Sequence, residues 1–398
     1  MFEHLPDEIL PLAQQDRSPI VIENHRCYLR RNYELEKGLA FHLHRIASHP
    51  PVTHHLPPPS PDLYPAQRRA FEAIFSHKLV IVTGGPGCGK TYLASKIIES
   101  FPGKQIIATA PTGKAAFRLK HPKATTKTLH SLLQIKHGED FSKQRRPIVC
   151  DLLIVDECSM IDIRLFKLLF ESILPQTHIL LMGDPDQLPP IQAGPIFREL
   201  CHKDSLLSIN LNETKRTDVS SLKELATYFR EGDAASALVL LSDPTAGVKR
   251  LDLPPSPPLI KERNSVIITP FKNGPFGTDA INELHKEIVP SPIMITQNDY
   301  KLGLMNGDMG LYQDGIATFD RPYPMALLYQ YTLAFAISIH KSQGSEFDHV
   351  HLILPPSEEP YTREMVYTAA TRARKTLTIY ASPETLESAL SPPKPLPS

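Results

Sequence analysis

A glycine-rich segment in the first quarter of the chain has the residue types and the spacing of a phosphate-binding loop. The segment GGPGCGKT, residues 84–91, lies between an apolar run that predicts a strand and a stretch with helical spacing. Backbone N–H groups of its glycines can surround phosphates, Lys90 supplies a charge for the β and γ phosphates, and Thr91 offers a hydroxyl to Mg²⁺. The pattern predicts a site for ATP and Mg²⁺. Its residues are Gly84, Gly85, Pro86, Gly87, Cys88, Gly89, Lys90 and Thr91.

Two adjacent carboxylates follow another apolar run and could complete this chemistry. Residues 151–157 read DLLIVDE, so a strand there would deliver Asp156 and Glu157 to its end. Asp156 can hold Mg²⁺ through water, and Glu157 can orient and deprotonate the attacking water in phosphoryl transfer. Gln187, in LMGDPDQLPPI, could sense the γ-phosphate or hold that water, although GDPD is equally good turn chemistry.

Short apolar runs predict the elements that position these residues. KLVIVT, QIIATA, DLLIVD and HILLMG each end at a loop of small or polar residues, as buried parallel strands do. NSVIIT, FAISIH, HVHLIL and TLTIYA form a second such set. Strands that alternate with helices indicate an α/β fold with helices on both faces of the sheet. Glycines and alternating polarity between NSVIIT and FAISIH predict a small β insertion at about residues 290–330.

Proline clusters divide the chain into candidate domains. Residues 49–65, HPPVTHHLPPPSPDLYP, can be neither helix nor central strand and predict a linker. We expect a short N-terminal module with its linker at 1–60, where the module serves for docking. A first α/β domain is expected at 61–205, a second at 206–385, and a disordered tail at 386–398.

The composition is typical of a cytoplasmic globular protein. A length of 398 residues favours two or three domains. The formal net charge is zero, whereas proteins that coat nucleic acid are usually basic; a narrow DNA channel stays compatible with this balance. Five cysteines without a C-x-x-C pair indicate neither a zinc ribbon nor an iron–sulfur site. With no signal-peptide pattern and no apolar run long enough to span a membrane, we expect a cytoplasmic location.

A series of motifs resembles those of superfamily 1 DNA helicases that move 5′ to 3′. In chain order they are GGPGCGKT, TAPTGKAAFRL, TLHSLL, LLIVDECSMID, GDPDQLPPIQAG, SIHKSQGSEFD and VYTAATRARK. APTGKAA, HKSQGSEFDHV and YTAATRARK are particularly similar to the RecD family, the alpha subunits of exodeoxyribonuclease V. The resemblance covers about residues 63–382. It implies two RecA-like P-loop domains, with a small SH3-like β-barrel insertion in the second.

The resemblance implies further roles at the nucleotide. Gln67, in LYPAQRRAF, falls where the family reads adenine. Arg216 falls near the arginine that contacts the γ-phosphate, and Arg372 matches an arginine finger that stabilises transition-state charge. Gly344 and Glu346 fall near the nucleotide sugar.

The resemblance also implies contacts to single-stranded DNA. Small residues and hydroxyls suit phosphate contacts, which position a strand without reading its sequence. The candidates are Pro111, Thr112, Gly113, Lys114, Thr128, His130, His340, Lys341, Ser342 and Gln343.

The function implied is that of an ATP-dependent 5′ to 3′ translocase subunit of exodeoxyribonuclease V. It would act on single-stranded DNA and duplex ends in double-strand-break repair and recombination, with RecB-like and RecC-like partners. No carboxylate cluster apart from the ATP site is evident in the sequence, so we expect no nuclease activity of its own. Three alternatives stay open: a stand-alone RecD-like helicase, to which GDPDQLPP is closer, a non-motor ATP-binding scaffold, and a P-loop kinase, in which the later motifs would have no role.

Overall fold

A computed structural model gives the structure of most of the chain. It describes residues 18–23, 26–49, 57–102, 105–135, 146–191, 194–212, 219–259, 264–299 and 301–391. The candidate Arg216 and the last residues of the predicted tail, 392–398, lie outside these ranges.

The first described elements form a hairpin followed by one long helix. These are β1 (Ile20–Glu23), β2 (Arg26–Leu29) and α1 (Arg30–Ala47). Leu39 and Ile46 of α1 are buried in a core that the helix shares with the first sheet. The side chain of Arg45 donates hydrogen bonds to the carbonyl oxygens of Phe170 and Ile173 at 2.9 and 2.8 Å. The last carbonyl groups of a helix have no hydrogen-bond partner within that helix, so they can accept from an arginine of another helix. These two bonds fix α1 to the first domain.

Six strands form a parallel sheet in the first half of the chain. They are β3 (Leu79–Thr83), β4 (Ile106–Ala110), β5 (Thr125–Thr128), β6 (Leu152–Val155), β7 (His178–Gly183) and β8 (Leu207–Asn210). Their order is β5-β4-β6-β7-β3-β8. Leu79 and Ile81 of β3 enter the core on one face, and Val80 and Val82 enter the core on the other. Because both faces are buried, the central strands appear in the sequence as continuous apolar runs.

Helices connect these strands and cover both faces. They are α2 (Pro65–Ser76), α3 (Lys90–Ser100), α4 (Gly113–Arg118), α5 (Leu129–Leu132), α6 (Ile163–Ser172) and α7 (Ile196–Cys201). The first sheet extends beyond the domain boundary expected after residue 205, since β8 pairs with β3 from Val80↔Leu207 to Thr83↔Asn210. The sequence LSIN of β8 is short and half polar, which is why its pattern did not predict a strand.

The second half of the chain contains a second parallel sheet and an antiparallel one. The strands are β9 (Val248–Leu251), β10 (Ser265–Thr269), β11 (Ser291–Ile295), β12 (Met309–Gln313), β13 (Ile316–Thr318), β14 (Pro322–Pro324), β15 (Tyr331–Leu333), β16 (Ala336–Ser338), β17 (Phe347–Ile353) and β18 (Ala373–Tyr380). The parallel sheet has the order β16-β10-β17-β18-β9. The helices are α8 (Ser220–Glu231), α9 (Ala234–Leu241), α10 (Thr278–His285), α11 (Ile339–Ser342), α12 (Arg363–Ala370) and α13 (Pro383–Leu390).

The predicted β insertion falls on the antiparallel sheet, whose order is β14-β13-β12-β11-β15. It has a small core of its own that includes Ile293, Ile295 and Tyr323. Its SH3-like character stays a prediction. Helix α13 occupies residues 386–390 of the predicted disordered tail, because Leu386 and Leu390 pack into the core of the second domain.

The predicted α/β class is confirmed by the two parallel sheets. Active residues of such folds lie at the carboxyl ends of the strands, and the loops after β3, β4, β6 and β7 carry the motifs of the first half. Among the helices that the structure describes, none combines the length and the apolar character needed to cross a membrane.

Candidate nucleotide cleft and nucleic-acid groove

A cleft of about 460 Å³ lies at the carboxyl ends of the first sheet and faces the second domain. It gathers most of the residues predicted to bind nucleotide. These are Gln67, Pro86, Gly87, Cys88, Gly89, Lys90, Thr91, Asp156, Glu157, Gln187, Gly344, Glu346 and Arg372. Gly84 is buried behind the loop and Gly85 lines an adjoining cleft, so these two residues do not line it.

The glycine-rich loop joins β3 to α3 and carries Lys90 at the start of the helix. Gly89 has φ +82°, and a Cβ atom there would lie 2.5 Å from Nε2 of Gln67. Any larger residue at position 89 would therefore have a strained backbone and would collide with Gln67, the residue predicted to contact adenine. The Lys90 ammonium donates to the carbonyl oxygens of Gly84 and Gly85 at 2.6 and 3.1 Å, so it is held above the loop that is predicted to receive the phosphates.

Gln67 is a buried residue of α2 whose side-chain amide is oriented by two backbone groups. Its Oε1 accepts from the N–H of Tyr64 at 3.1 Å, and its Nε2 donates to the carbonyl oxygen of Cys88 at 3.3 Å. One N–H and one lone pair of the amide remain for a ligand. Adenine offers the complementary pair, the N7 acceptor and the N6 donor.

Two carboxylates project from the end of β6. Asp156 is buried and accepts a hydrogen bond from the N–H of Glu157 at 2.8 Å. Burial raises the pKa of Asp156, and the charge of Glu157 adds to this effect. Burial alone would lower the pKa of Lys90, but the neighbouring Cys88, Asp184, Asp156 and Glu157 together raise it. The hydroxyl of Thr91 and the carboxylate of Asp156 are hard oxygen donors of the kind that Mg²⁺ prefers.

Gln187 follows β7 and lies in the cleft near these carboxylates. It is 5% exposed, and its Nε2 donates to Oδ2 of Asp184 at 3.0 Å. Its Oε1 has no hydrogen-bond partner among the described residues. The free carbonyl oxygen is suited to accept a hydrogen bond from a water molecule.

The second domain contributes Arg372 to the opposite side of the cleft. Arg372 is 3% exposed, and its Nε donates to the carbonyl oxygen of Thr368 at 2.9 Å. Its Nη2 donates to Oγ1 of Thr371 at 3.0 Å. Burial lowers the pKa of Arg372, against the opposing effect of the charge of Glu157. The guanidinium is thus held by its own helix end while it faces the carboxylates of the first domain.

A separate groove of about 520 Å³ gathers the predicted DNA contacts. Nine of the candidates line it: Pro111, Thr112, Gly113, Lys114, Thr128, His130, His340, Lys341 and Gln343. Ser342 does not line it, since it is fully buried and its hydroxyl donates to the carbonyl oxygen of Ile339 at 2.7 Å. Ser342 is placed to stabilise the end of α11 rather than to contact a strand.

Two threonine hydroxyls of the groove cap helices. Oγ1 of Thr112 accepts from the N–H of Ala115 at 3.2 Å, and Oγ1 of Thr128 accepts from the N–H of Ser131 at 3.3 Å. A hydroxyl that accepts in this way keeps its own hydrogen for donation. Both threonine hydroxyls therefore remain able to donate to a ligand oxygen in the groove.

The antiparallel insertion supplies a wall of the groove that the sequence reasoning missed. Met294, Asn298, Asn306 and Gly307 line it from this sheet and its loops. A Cβ atom at Gly113 would lie 3.0 Å from the side chain of Met305, so the insertion touches the first domain there. The sequence signal for this wall was two asparagines in a loop of the insertion that also contains glycines, but the same residue types are common in turns.

Helix α4 connects the groove to the cleft. Lys114 in its first turn lines the groove, and its ammonium donates to Oγ of Ser345 in the second domain at 2.9 Å. Burial and the charge of Arg118 lower the pKa of Lys114. Arg118, at the other end of the same helix, lines the cleft. Sequence reasoning missed Arg118, although its spacing of four residues from Lys114 was a signal for one helix carrying both.

Comparison with known proteins identifies relatives over most of the chain. The family described as an AAA domain matches residues 62–246, and the one described as a UvrD-like helicase C-terminal domain matches residues 333–380. The chain is 30% identical to the RecBCD enzyme subunit RecD of Mycolicibacterium smegmatis, over 77% of this chain and 69% of that protein. It is also 30% identical to the ATP-dependent RecD2 DNA helicase of Deinococcus radiodurans, over 77% of this chain and 47% of that protein.

Solved structures share the fold at lower identity. A Pif1 helicase from Bacteroides has a TM-score of 0.58 and 20% identity, covering 84% of this chain and 95% of that chain. The Pif1 helicase of Candida albicans has a TM-score of 0.53 and 18% identity, covering 83% of this chain and 97% of that chain. This likeness confirms the arrangement of two RecA-like domains that the family resemblance implied.

Proposed function

This chain belongs to the RecD family of superfamily 1 helicases, and we propose that it hydrolyses ATP to move 5′ to 3′ along single-stranded DNA. It works as a subunit of an exodeoxyribonuclease V complex with RecB-like and RecC-like partners. Its substrate is single-stranded DNA exposed at duplex ends, and its role is in double-strand-break repair and recombination.

One observation carries this proposal: the nucleotide cleft and the candidate DNA groove share an edge and a helix. Gly344 lines both, and α4 presents Lys114 to the groove and Arg118 to the cleft. Each space is bounded by both domains. A change in the distance between the domains would therefore alter nucleotide contacts and strand contacts together, which is what a translocating ATPase requires.

The residues of the cleft support hydrolysis by positioning and charge stabilisation. The γ-phosphoryl group lies between Lys90 of the first domain and Arg372 of the second. Glu157 orients a water molecule and takes its proton, while Oε1 of Gln187 accepts a hydrogen bond from the same water. The side chain of Arg372 contributes fully when the cleft is closed, so the hydrolysis rate depends on domain closure.

Thr91 and Asp156 are the residues proposed to hold Mg²⁺. When bound, the ion neutralises charge on the β and γ phosphates. Asp156 is buried beside Glu157, so binding of a cation would relieve the repulsion between the two carboxylates.

The two domains hold the DNA strand in alternation, so that each closure of the nucleotide cleft moves the protein along the strand. Thr112 and Thr128 hold phosphates from the first domain, and His340 and Lys341 hold them from the second. Such contacts position the strand without reading its bases, so the motor is indifferent to sequence.

Polarity is tested with biotinylated single strands that carry streptavidin at one end. We expect ATP-dependent displacement of streptavidin from the 3′ end and none from the 5′ end. Lys90→Ala, which lacks the phosphate contact, is the control for ATP dependence. Displacement from the 5′ end alone would show that the proposed direction is wrong.

The assembly is tested by co-expression with candidate RecB-like and RecC-like chains. We expect one complex of all three chains by size-exclusion chromatography with light scattering. Robust unwinding by the isolated chain and no complex would favour the stand-alone RecD-like helicase instead. ATP binding without DNA-stimulated hydrolysis, alone and in the complex, would favour the scaffold. We further expect the pure chain not to cut DNA in the presence of Mg²⁺.

A further inference from the structure

A hydroxyl of the second domain reaches a carboxylate of the first domain behind the glycine-rich loop. Tyr367 lies on α12, is 4% exposed, and donates through its hydroxyl to Oδ2 of Asp184 at 3.1 Å. Asp184 directly follows β7 and is 2% exposed. Burial and the neighbouring carboxylates raise the pKa of Tyr367, so its hydroxyl keeps its proton and donates.

The same carboxylate oxygen fixes the amide of Gln187. Oδ2 of Asp184 accepts from Nε2 of Gln187 at 3.0 Å, and Oδ1 accepts from the N–H of Asp186 at 3.1 Å. A side-chain amide has two faces, one that donates and one that accepts. Because the donating face of Gln187 is bound to Asp184, its Oε1 is turned away from that carboxylate and, within the described residues, is buried without a partner.

The second domain also holds the residue after Gln187. The N–H of Leu188 donates to Oγ1 of Thr368 at 2.7 Å, and its carbonyl oxygen accepts from Nε2 of Gln343 at 2.9 Å. Thr368 neighbours Tyr367 on α12, and Gln343 lines the candidate DNA groove. Gln187 is therefore flanked by two sets of contacts to the second domain, at Asp184 on one side and at Leu188 on the other.

We propose that Tyr367 is a positioning residue for ATP hydrolysis, which acts through Asp184 to hold Oε1 of Gln187 toward the attacking water. This inference rests on the proposed ATPase function. When the domains are docked, the hydroxyl restrains the Asp184 carboxylate and with it the amide. When they separate, Asp184 loses this donor, and Gln187 is free to rotate into orientations that do not receive the water.

A simpler role for Tyr367 is packing, since its ring belongs to the core of the second domain. The two roles differ in what the hydroxyl contributes. Packing depends on the ring and is preserved by Tyr367→Phe, whereas positioning depends on the hydroxyl alone. Tyr361 offers a matched control, because it is also buried in this core and its hydroxyl donates to the carbonyl oxygen of Pro355 within the second domain.

The test measures DNA-stimulated ATP hydrolysis by the full chain, with saturating single-stranded DNA. We expect Tyr367→Phe to lower kcat about tenfold, the effect of losing one hydrogen bond to a charged group. The KM for ATP and the thermal midpoint should stay close to those of the wild-type chain. Tyr361→Phe should leave kcat unchanged.

A double-mutant cycle separates positioning from a diffuse effect on the fold. In a Gln187→Ala background, Tyr367→Phe has no amide left to orient, so we expect no further loss of kcat. Asp184→Ala removes the same connection from the other side, since alanine has no side-chain oxygen to accept from Nε2 of Gln187. It should lower kcat at least as much as Tyr367→Phe, which keeps the inference testable if one variant folds poorly.

Two results would overturn the inference: wild-type kcat in Tyr367→Phe, or an equal fold-loss with and without the Gln187 side chain. In either case an active wild-type chain leaves the proposed function standing. A wild-type chain without DNA-stimulated hydrolysis would instead overturn both proposals.

Discussion

Replacement of Glu157 should separate catalysis from stability in this protein. Glu157 has φ 53° and ψ 42°, a left-handed conformation that is unfavourable for a residue with a side chain by about 1–2 kcal/mol. Glu157→Gly removes this strain, but glycine gains freedom in the unfolded chain worth about 0.5–1 kcal/mol. Glu157 repels Asp156 but attracts Lys90 and Arg372, so loss of its charge has opposing effects on stability. We expect the free energy of unfolding to rise by up to about 1 kcal/mol.

Loss of the Glu157 carboxylate should lower the rate of ATP hydrolysis, and this effect should be far larger than the change in stability. Glu157→Gln keeps the shape of the side chain but cannot take a proton from water. General base catalysis is worth about 10²–10⁴-fold, so we expect kcat with single-stranded DNA to fall by at least about 100-fold. Binding of a fluorescent ATP analogue should be retained, because Lys90 and the glycine-rich loop are unchanged.

Phosphate release under saturating DNA gives kcat, and urea unfolding gives stability. Asp314→Gly is the matched control, since Asp314 also has positive φ, at 49°, but lies in an exposed turn of the insertion. Asp314→Gly should change the free energy of unfolding about as much as Glu157→Gly does, and its kcat should equal that of the wild-type chain. A Glu157→Gln chain that hydrolyses ATP within tenfold of the wild-type rate would show that Glu157 is not the base.

Three further changes probe the groove, the cleft and the contact between the domains. Lys114→Ala should weaken binding of single-stranded DNA and reduce the slope of log affinity against log salt by about 0.7, read from fluorescence anisotropy; an unchanged slope would mean that Lys114 contacts no phosphate. Arg118→Ala should raise the KM for ATP with a smaller effect on kcat, and an unchanged KM would remove Arg118 from the nucleotide site. Glu364→Gln removes the charge from the 2.9 Å pair between Arg198 and Glu364 across the two domains, and it leaves the hydrogen bond from Arg198 to the carbonyl oxygen of Pro185 in place. Because both side chains are partly exposed, the free energy of unfolding in urea should fall by about 1 kcal/mol or less, and a larger loss would contradict the modest strength expected of this pair.

The parts of the site carried by contiguous segments were predictable from sequence. The glycine-rich loop and the Asp156–Glu157 pair each follow a central strand, and buried strands of a parallel sheet leave an apolar signal. Strands at the edge of a sheet leave a weaker apolar signal in the sequence. β5 and β8 contain polar residues because one side of each has no neighbouring strand, so neither pattern predicts a strand, and the first sheet extends past residue 205.

Contacts between distant segments could not be read from the sequence. Asn298 and Asn306 reach the groove only because the insertion packs beside α4. Ser342 has the residue type of a phosphate contact, yet the direction of its hydroxyl depends on the turn at the end of α11. The contact between Tyr367 and Asp184 joins residues 183 positions apart, and no local pattern records it.

ATP hydrolysis by the purified chain, with and without single-stranded DNA and beside Lys90→Ala, tests the central claim most directly. We predict strong stimulation by DNA in the wild-type chain and no hydrolysis above background in Lys90→Ala, because that variant lacks the cation placed for the β and γ phosphates. Hydrolysis that is indifferent to DNA, or that survives in Lys90→Ala, would contradict the account of a DNA-driven motor at this cleft.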